Sequence, residues 1–163
     1  MKAPDAMQKE LNAQLNRELG AWHLYYSMSA YFEEHNFSGF AKWMRKQASE
    51  EQVHAQKIYD YLVDRNGTVK LAALTAPKAS WNGPLEAFED AYNHECRVTE
   101  FIHGILDAAQ KEKDPASASF LQWFIDEQVE EEATALDLVN KLKFVGDNKA
   151  ALYALDKELG SRE

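Results

Sequence analysis

The sequence predicts an all-α protein: a four-helix bundle with one long crossover between its second and third helices and a short fifth helix at the C-terminus. Three observations carry this. Apolar residues recur in alternating steps of three and four along four long segments, which places them on one face of a helix. No segment alternates apolar and polar residues well enough to make a strand. Residues 67–83 form a connection far longer than the roughly two to eight residues usual between bundle helices.

The first helix is expected from about Ala6 to about Glu34, with an inward seam of Leu11, Leu15, Glu18, Trp22, Tyr25, Ser29 and Phe32. The turn His35-Asn36-Phe37-Ser38 is short, so the second helix should return antiparallel beside the first. Ser38 suits an N-cap, because its hydroxyl can accept from a free backbone N–H. The second seam reads Phe37, Phe40, Met44, Gln47, Glu51, His54, Ile58 and Leu62, and the helix should end near Asn66, with Gly67 as a left-handed C-cap. A helix of that length spans about 43 Å. Seventeen extended residues reach at most about 60 Å, so residues 67–83 can return the chain to the far end and let the third helix run parallel to the second.

The third helix opens with Pro84, which tolerates the first turn because its missing N–H has no partner there, and runs to about Glu112. Its seam is Leu85, Phe88, Tyr92, Glu95, Thr99, Ile102, Leu106 and Ala109. Lys113-Asp114-Pro115 marks a turn with Asp114 as cap. The fourth helix runs from Pro115 to about Val145, with Leu121, Phe124, Gln128, Glu131, Ala135, Leu138, Leu142 and Val145 inward, and Gly146 stops it. A fifth helix from about Asn148 to Leu159 carries Leu152, Leu155 and Leu159, and Gly160 stops it. No repeat or second domain interrupts residues 1–163.

Length and composition suit one folded domain, with 45% hydrophobic and 28% charged residues. No apolar run approaches the roughly 20 residues that span a bilayer, and the N-terminus has no hydrophobic signal region. The single cysteine, Cys96, excludes an intramolecular disulfide, which fits a reducing cytoplasm. A net charge of -9 argues against non-specific nucleic-acid binding and favours attraction of cations.

The seams are broken where leucine is expected. Each long helix turns one acid inward: Glu18, Glu51, Glu95 and Glu131. His54 follows Glu51 by three residues and Gln128 precedes Glu131 by three, so each pair shares a helix face. All six fall near mid-helix and can meet at one level. Four buried carboxylates would repel one another unless cations compensate them. Two divalent ions match four carboxylates in charge, and oxygen donors with one imidazole suit iron, manganese or zinc. Glu51 is the candidate bridge between two ions. Glu50, Glu127 and Glu130 would form an acidic ledge beside this core, although Glu130-Glu131-Glu132 also reads as a solvated charge run. Tyr25 lies two turns from Glu18, placed either to donate to a carboxylate or to pack. His23, His94 and His103 lie off their seams and read as ordinary helix residues, and the tryptophans read as packing groups.

As a set, Glu18, Glu50-Glu51-Gln52-Val53-His54, the long crossover, Glu95, Phe120-Leu121-Gln122-Trp123, Glu127-Gln128-Val129-Glu130-Glu131 and Asp156-Lys157-Glu158-Leu159 resemble the ferritin family, in particular its non-haem bacterial and archaeal members. Inward carboxylates in a ferritin-like bundle are a standard example of this arrangement. The resemblance implies iron site A from Glu18, Glu51 and His54 with Gln128 close by, and site B from Glu51, Glu95 and Glu131. It implies a third site from Glu50, Glu127, Glu130 and Glu131, with Tyr25 beside the centre. It implies an iron store with ferroxidase activity, using O₂ or H₂O₂, built as a 24-subunit octahedral homo-oligomer with the fifth helix lining the fourfold axes.

Departures separate the chain from related families. Bacterioferritin and rubrerythrin carry a second Glu-x-x-His on the fourth helix, where this chain reads Glu127-Gln128-Val129-Glu130. Gln52 stands where bacterioferritin has its haem methionine, so no haem is expected. Three alternatives stand beside the ferroxidase: a passive shell subunit, which would not need costly seam acids; an oxygen-activating enzyme with an organic substrate, for which the large seam residues leave no obvious pocket; and a helical interaction module without metal, which apo and metal-loaded melting curves would discriminate.

Overall fold

A computed structural model describes residues 1–161. The helices are α1 (Asp5–Glu34), α2 (Ser38–Asp64), α3 (Pro84–Lys111), α4 (Pro115–Val145) and α5 (Lys149–Gly160). Among the described residues there is no strand, and no helix is long and apolar enough to cross a membrane.

Contacts fix the directions. Ser29 of α1 donates to the Ala41 carbonyl of α2, and Ala3 just before α1 donates to Arg65 just after α2, so the two helices are antiparallel. Phe32 meets Phe88 at one end of α1 and Arg17 covers Phe101 toward the other, so α3 is also antiparallel to α1 and therefore parallel to α2. Arg65 pairs with Asp114 and Gln47 with Glu131, which makes α4 antiparallel to α2. The expected long crossover is present. It runs along α1 on an amide ladder that the sequence reading did not anticipate. Gln8, Asn12 and Asn16, one helical turn apart, bond the backbone of Thr68, Lys70 and Ala72. Four helical residues rise about 6 Å and two extended residues about 6.6 Å, so the two repeats keep step.

Helix ends differ from expectation in two places. After α2 the left-handed residue is Asn66, with φ 52°, and not Gly67. Asn66 N–H reaches the Val63 carbonyl and Gly67 N–H the Leu62 carbonyl at 2.8 Å, which satisfies the last turn. Gly67 sits in a tight spot instead, since a Cβ there would lie 3.0 Å from the Leu62 oxygen, closer than most Cβ contacts. Asn36 and Lys113 close α1 and α3 in the same way. At the start of α2, Ser38 is not the cap; it is the first helical residue, behind Phe37, and no local side chain caps the helix. The cap comes from α5, where Asp156 Oδ1 accepts from Phe40 N–H at 2.8 Å. Gly39 makes this approach possible, because a Cβ there would fall 1.7 Å from the Asp156 carbonyl oxygen. Asp114 caps α4 as expected, accepting from Ser117 N–H.

The seam of α3 is also corrected. Leu85, Tyr92, Thr99 and Leu106 are half-buried, and Ala91, Val98 and Ile105 take the inward places beside Phe88, Glu95, Ile102 and Ala109. Steps of three and four from Glu95 fit either set, and the pattern alone does not separate two adjacent helix faces. Trp22 is half-buried for the same reason, with Ala21 inside. The core forms two apolar clusters. One holds Tyr25, Phe32, Phe40, Trp43, Phe88 and Leu138, and the other Leu11, Leu15, Ile58, Ile102, Leu121 and Phe124. On every long helix the inward acid lies between a residue of one cluster and a residue of the other. The acids therefore share one level of the bundle.

Candidate metal centre

Glu18, Glu51, Glu95, Glu131, His54 and Gln128 are all buried. Glu18, Glu51 and His54 bring one ligand atom each within 4.8 Å of the others. His54 Nδ1 lies 3.7 Å from Glu18 Oε2 and 3.5 Å from Glu51 Oε2. Glu18 Oε2 is buried and accepts no hydrogen bond. An orphaned carboxylate oxygen facing an imidazole and a second carboxylate fits a cation, since any other buried acceptor of this kind goes unsatisfied. His54, Glu127 and Glu131 make a second group within 4.8 Å. The two groups share the imidazole.

Neutral amides hold three of the four carboxylates. Gln14 Nε2 donates to Glu18 Oε1 at 2.6 Å, and Gln47 Nε2 to Glu131 Oε2 at 2.7 Å. Gln128 Nε2 donates to Glu95 Oε2 at 3.2 Å, and the Tyr25 hydroxyl donates to Glu95 Oε1. Gln128, expected close to Glu18, Glu51 and His54, is thus tied to Glu95. Thr99, half-buried, receives a further weak bond from Gln128 and gives its own proton to Glu132.

Electrostatics follow burial. Desolvation, with Glu18 and Glu95 nearby, pushes Glu51 well above the usual carboxylate range. Burial also raises Glu95, against the bonds from Tyr25 and Gln128. Glu131 rises to about 7 through burial and the charge of Glu95, despite its bond from Gln47. Burial would also raise Glu18, yet its contacts with His54 and Glu51 bring it below the ordinary value. His54 is pulled the other way: burial lowers it, but Glu18 and Glu51 raise it to about 11. Tyr25 is held protonated, well above its usual value, by burial and by Glu95. The pocket thus retains protons where positive charge is needed, and a divalent ion would displace them.

The ledge is split. Glu127 reaches the His54 and Glu131 group, Glu50 is half-buried and close enough to raise Glu131, and Glu130 is exposed. Three nearby residues escaped the sequence reading. Gln14 stands one turn before Glu18, and that spacing was the available signal. Gln47 lies on the predicted seam but was given no role. His94 packs edge-on against the Tyr25 ring at 5.9 Å, and its Nε2 is buried with no hydrogen bond. Burial and Arg97 hold its pKa down at about 4 against the pull of Glu18. Its position off the α3 seam gave no signal. Trp123 rests against the His54 ring at 5.4 Å, a packing contact at the edge of the pocket.

A ferritin-like domain model matches residues 8–145. The chain is 42% identical over 158 residues to a bacterial non-heme ferritin of Bacteroides fragilis, spanning 97% of this chain and 98% of that protein. It is 43% identical over 152 residues to a bacterial non-heme ferritin of Staphylococcus aureus, spanning 93% and 92%. Among solved structures, an open-pore ferritin from the hyperthermophilic archaeon Archaeoglobus fulgidus matches with a TM-score of 0.99 at 47% identity, covering 100% of both chains. A humanized archaeal ferritin matches with a TM-score of 0.98 at 45% identity, covering 99% of this chain and 98% of the other.

Proposed function

The chain belongs to the ferritin family, and from that premise we propose that it stores iron and oxidises it, taking Fe²⁺ as substrate inside each bundle. The observation that carries this is the buried, unpartnered Glu18 Oε2 converging on Glu51 and His54 within 4.8 Å. Fe²⁺ binds to Glu18, Glu51 and His54 as site A, and a second Fe²⁺ to Glu51, Glu95 and Glu131 as site B, with Glu51 between them. Gln128 and Tyr25 hold Glu95 in place. The pair of ions gives up two electrons. O₂ takes them with two protons to become H₂O₂, or H₂O₂ takes them with two protons to become water. Carboxylates favour Fe³⁺ over Fe²⁺ by charge, which drives the oxidation forward. Hydrolysis of the ferric product releases protons.

Glu50, Glu127, Glu130 and Glu131 receive a third iron and pass it toward the interior of a 24-subunit octahedral homo-oligomer, where a ferric oxyhydroxide mineral grows. Support for this path is the reach of Glu127 and Glu131 to His54.

Stopped-flow absorbance after mixing anaerobic Fe²⁺-loaded protein with O₂ tests the reading, with Glu51→Ala in parallel. A fast transient that saturates near two or three irons per chain and is lost in the variant is the expected result. Slow oxidation, equal in both proteins, would leave passive storage in its place.

A further inference from the structure

We propose that Gln14 and Arg17 form a relay on α1 that aims Glu18 into the metal centre, a role that rests on the function proposed above. Gln14 is fully buried, one turn before Glu18, and its Nε2 donates to Glu18 Oε1 at 2.6 Å. An ionised carboxylate only accepts, so Glu18 calls for the N–H end of the amide, and Arg17 anchors the opposite end. Its Nη1 donates to Gln14 Oε1 at 3.1 Å, and a guanidinium has donors only. Gln14 must therefore turn its oxygen to Arg17 and its N–H to Glu18. Arg17 is seated in turn by the Phe101 ring of α3, with its guanidinium carbon 3.9 Å from the ring centroid.

The consequence falls on one oxygen. With Oε1 occupied by Gln14, the carboxylate of Glu18 is left with Oε2 free, and Oε2 is the buried atom without a hydrogen bond that lies 3.7 Å from His54 Nδ1. Arg17 itself is half-buried and reaches the carboxylate only through a neutral amide. Direct pairing of the guanidinium with Glu18 would set a fixed positive charge against an incoming cation. The amide passes on orientation and keeps that charge one residue away. Gln14 and Arg17 are thus positioning residues for the ion held by Glu18, Glu51 and His54.

Co²⁺ is a redox-inert probe whose visible bands report the ligand field. Chelator-stripped protein is titrated with Co²⁺, comparing wild type with Gln14→Leu, Arg17→Ala, Arg17→Lys and Glu18→Gln, each checked by circular dichroism. Partners that orient ligands typically contribute about 10–100-fold to metal affinity, so Gln14→Leu is expected to weaken the tighter Co²⁺ by about tenfold. Arg17→Ala weakens it by a smaller factor, and Arg17→Lys recovers most of that loss, since an ammonium also donates to Gln14 Oε1. Should Gln14→Leu fail to fold, the two Arg17 variants decide the matter, with recovery in Arg17→Lys as the supporting result. Wild-type Co²⁺ binding that neither Gln14→Leu nor Arg17→Ala alters overturns the relay alone. A wild-type protein with no saturable Co²⁺ bands overturns the metal-centre reading beneath it.

Discussion

Replacing Glu131 with glutamine should stabilise the metal-free protein at alkaline pH while weakening metal binding. Glu131 is 8% exposed, and its pKa rises from 4.5 to about 7 in the fold. A carboxyl group raised in this way favours the fold while protonated. That contribution is whole below pH 4.5 and is lost as pH climbs through 7. A shift of this size corresponds to about 3.5 kcal/mol at about 1.4 kcal/mol per unit, an upper figure because water and side-chain relaxation soften it. Glu131→Gln removes the charge and keeps an acceptor for Gln47. The variant should melt higher than wild type at pH 8 by up to about 7–14 °C, on the scale of roughly 2–4 °C per kcal/mol, and alike at pH 4.5. Chelator-treated protein in a thermal melt at both pH values reads this directly, at one fixed protein concentration because assembly stabilises subunits. Saturating Zn²⁺ should reverse the order, since the wild-type carboxylate binds better. Equal melting of the two apo proteins at pH 8, or a gain of the same size at pH 4.5, would refute the view that this carboxylate is held against its own charge for a cation.

Other consequences are local. Asp156→Ala removes the cap on Phe40 N–H and leaves that buried donor unsatisfied, so the fold should lose about 1–3 kcal/mol in urea denaturation. Gly39→Ala should act on the same contact more severely by pushing α5 from α2, seen as lost protection of α5 amides in hydrogen exchange. Asn12→Ala cuts two rungs of the ladder that holds the crossover, and faster exchange of the Lys70 amide with a nearly unchanged melting temperature is expected. Tyr25→Phe takes one of two side-chain donors from Glu95 and should lower apo stability by about 1 kcal/mol in the same urea assay.

Periodicity made the elements legible, and it made the four inward acids legible because each interrupts an apolar line. Those signals are local. What periodicity could not reach was any contact between residues distant in sequence. Asp156 capping α2 across 116 residues looks in the sequence like one more polar residue on a short helix, while Ser38 offers a local cap that the fold does not use. The amide ladder was hidden similarly, since nothing local to Gln8, Asn12 and Asn16 says that a chain segment more than 50 residues away lies on them. On α3 the steps of three and four fit Tyr92 and Leu106 as well as Ala91 and Ile105, and the pattern alone cannot see which of two adjacent faces meets the neighbouring helices. At the centre, Glu18, Glu51, Glu95, Glu131, His54 and Gln128 were placed together by seam position, with Tyr25 beside them, but the donors Gln14 and Gln47 were not recognised as such.

Those donors show how a cluster of buried acids can wait for iron without collapsing onto something else. Lysine or arginine beside each carboxylate would satisfy it and neutralise it, leaving little reason for a cation to enter. Gln14, Gln47 and Gln128 instead satisfy one oxygen of Glu18, Glu131 and Glu95 with neutral N–H groups. Orientation is fixed and negative charge remains. Repulsion between the carboxylates is then contained by the frame, because the polar layer lies between two apolar clusters, each drawing residues from all four long helices. Loosening either cluster should therefore disturb metal binding through geometry even when no ligand is touched. Phe124→Ala, next to the His54 ring, should weaken Co²⁺ binding as well as cost about 3–5 kcal/mol of stability. An affinity unchanged in that variant would mean that the ligands hold their places by their own hydrogen bonds, without the packing around them.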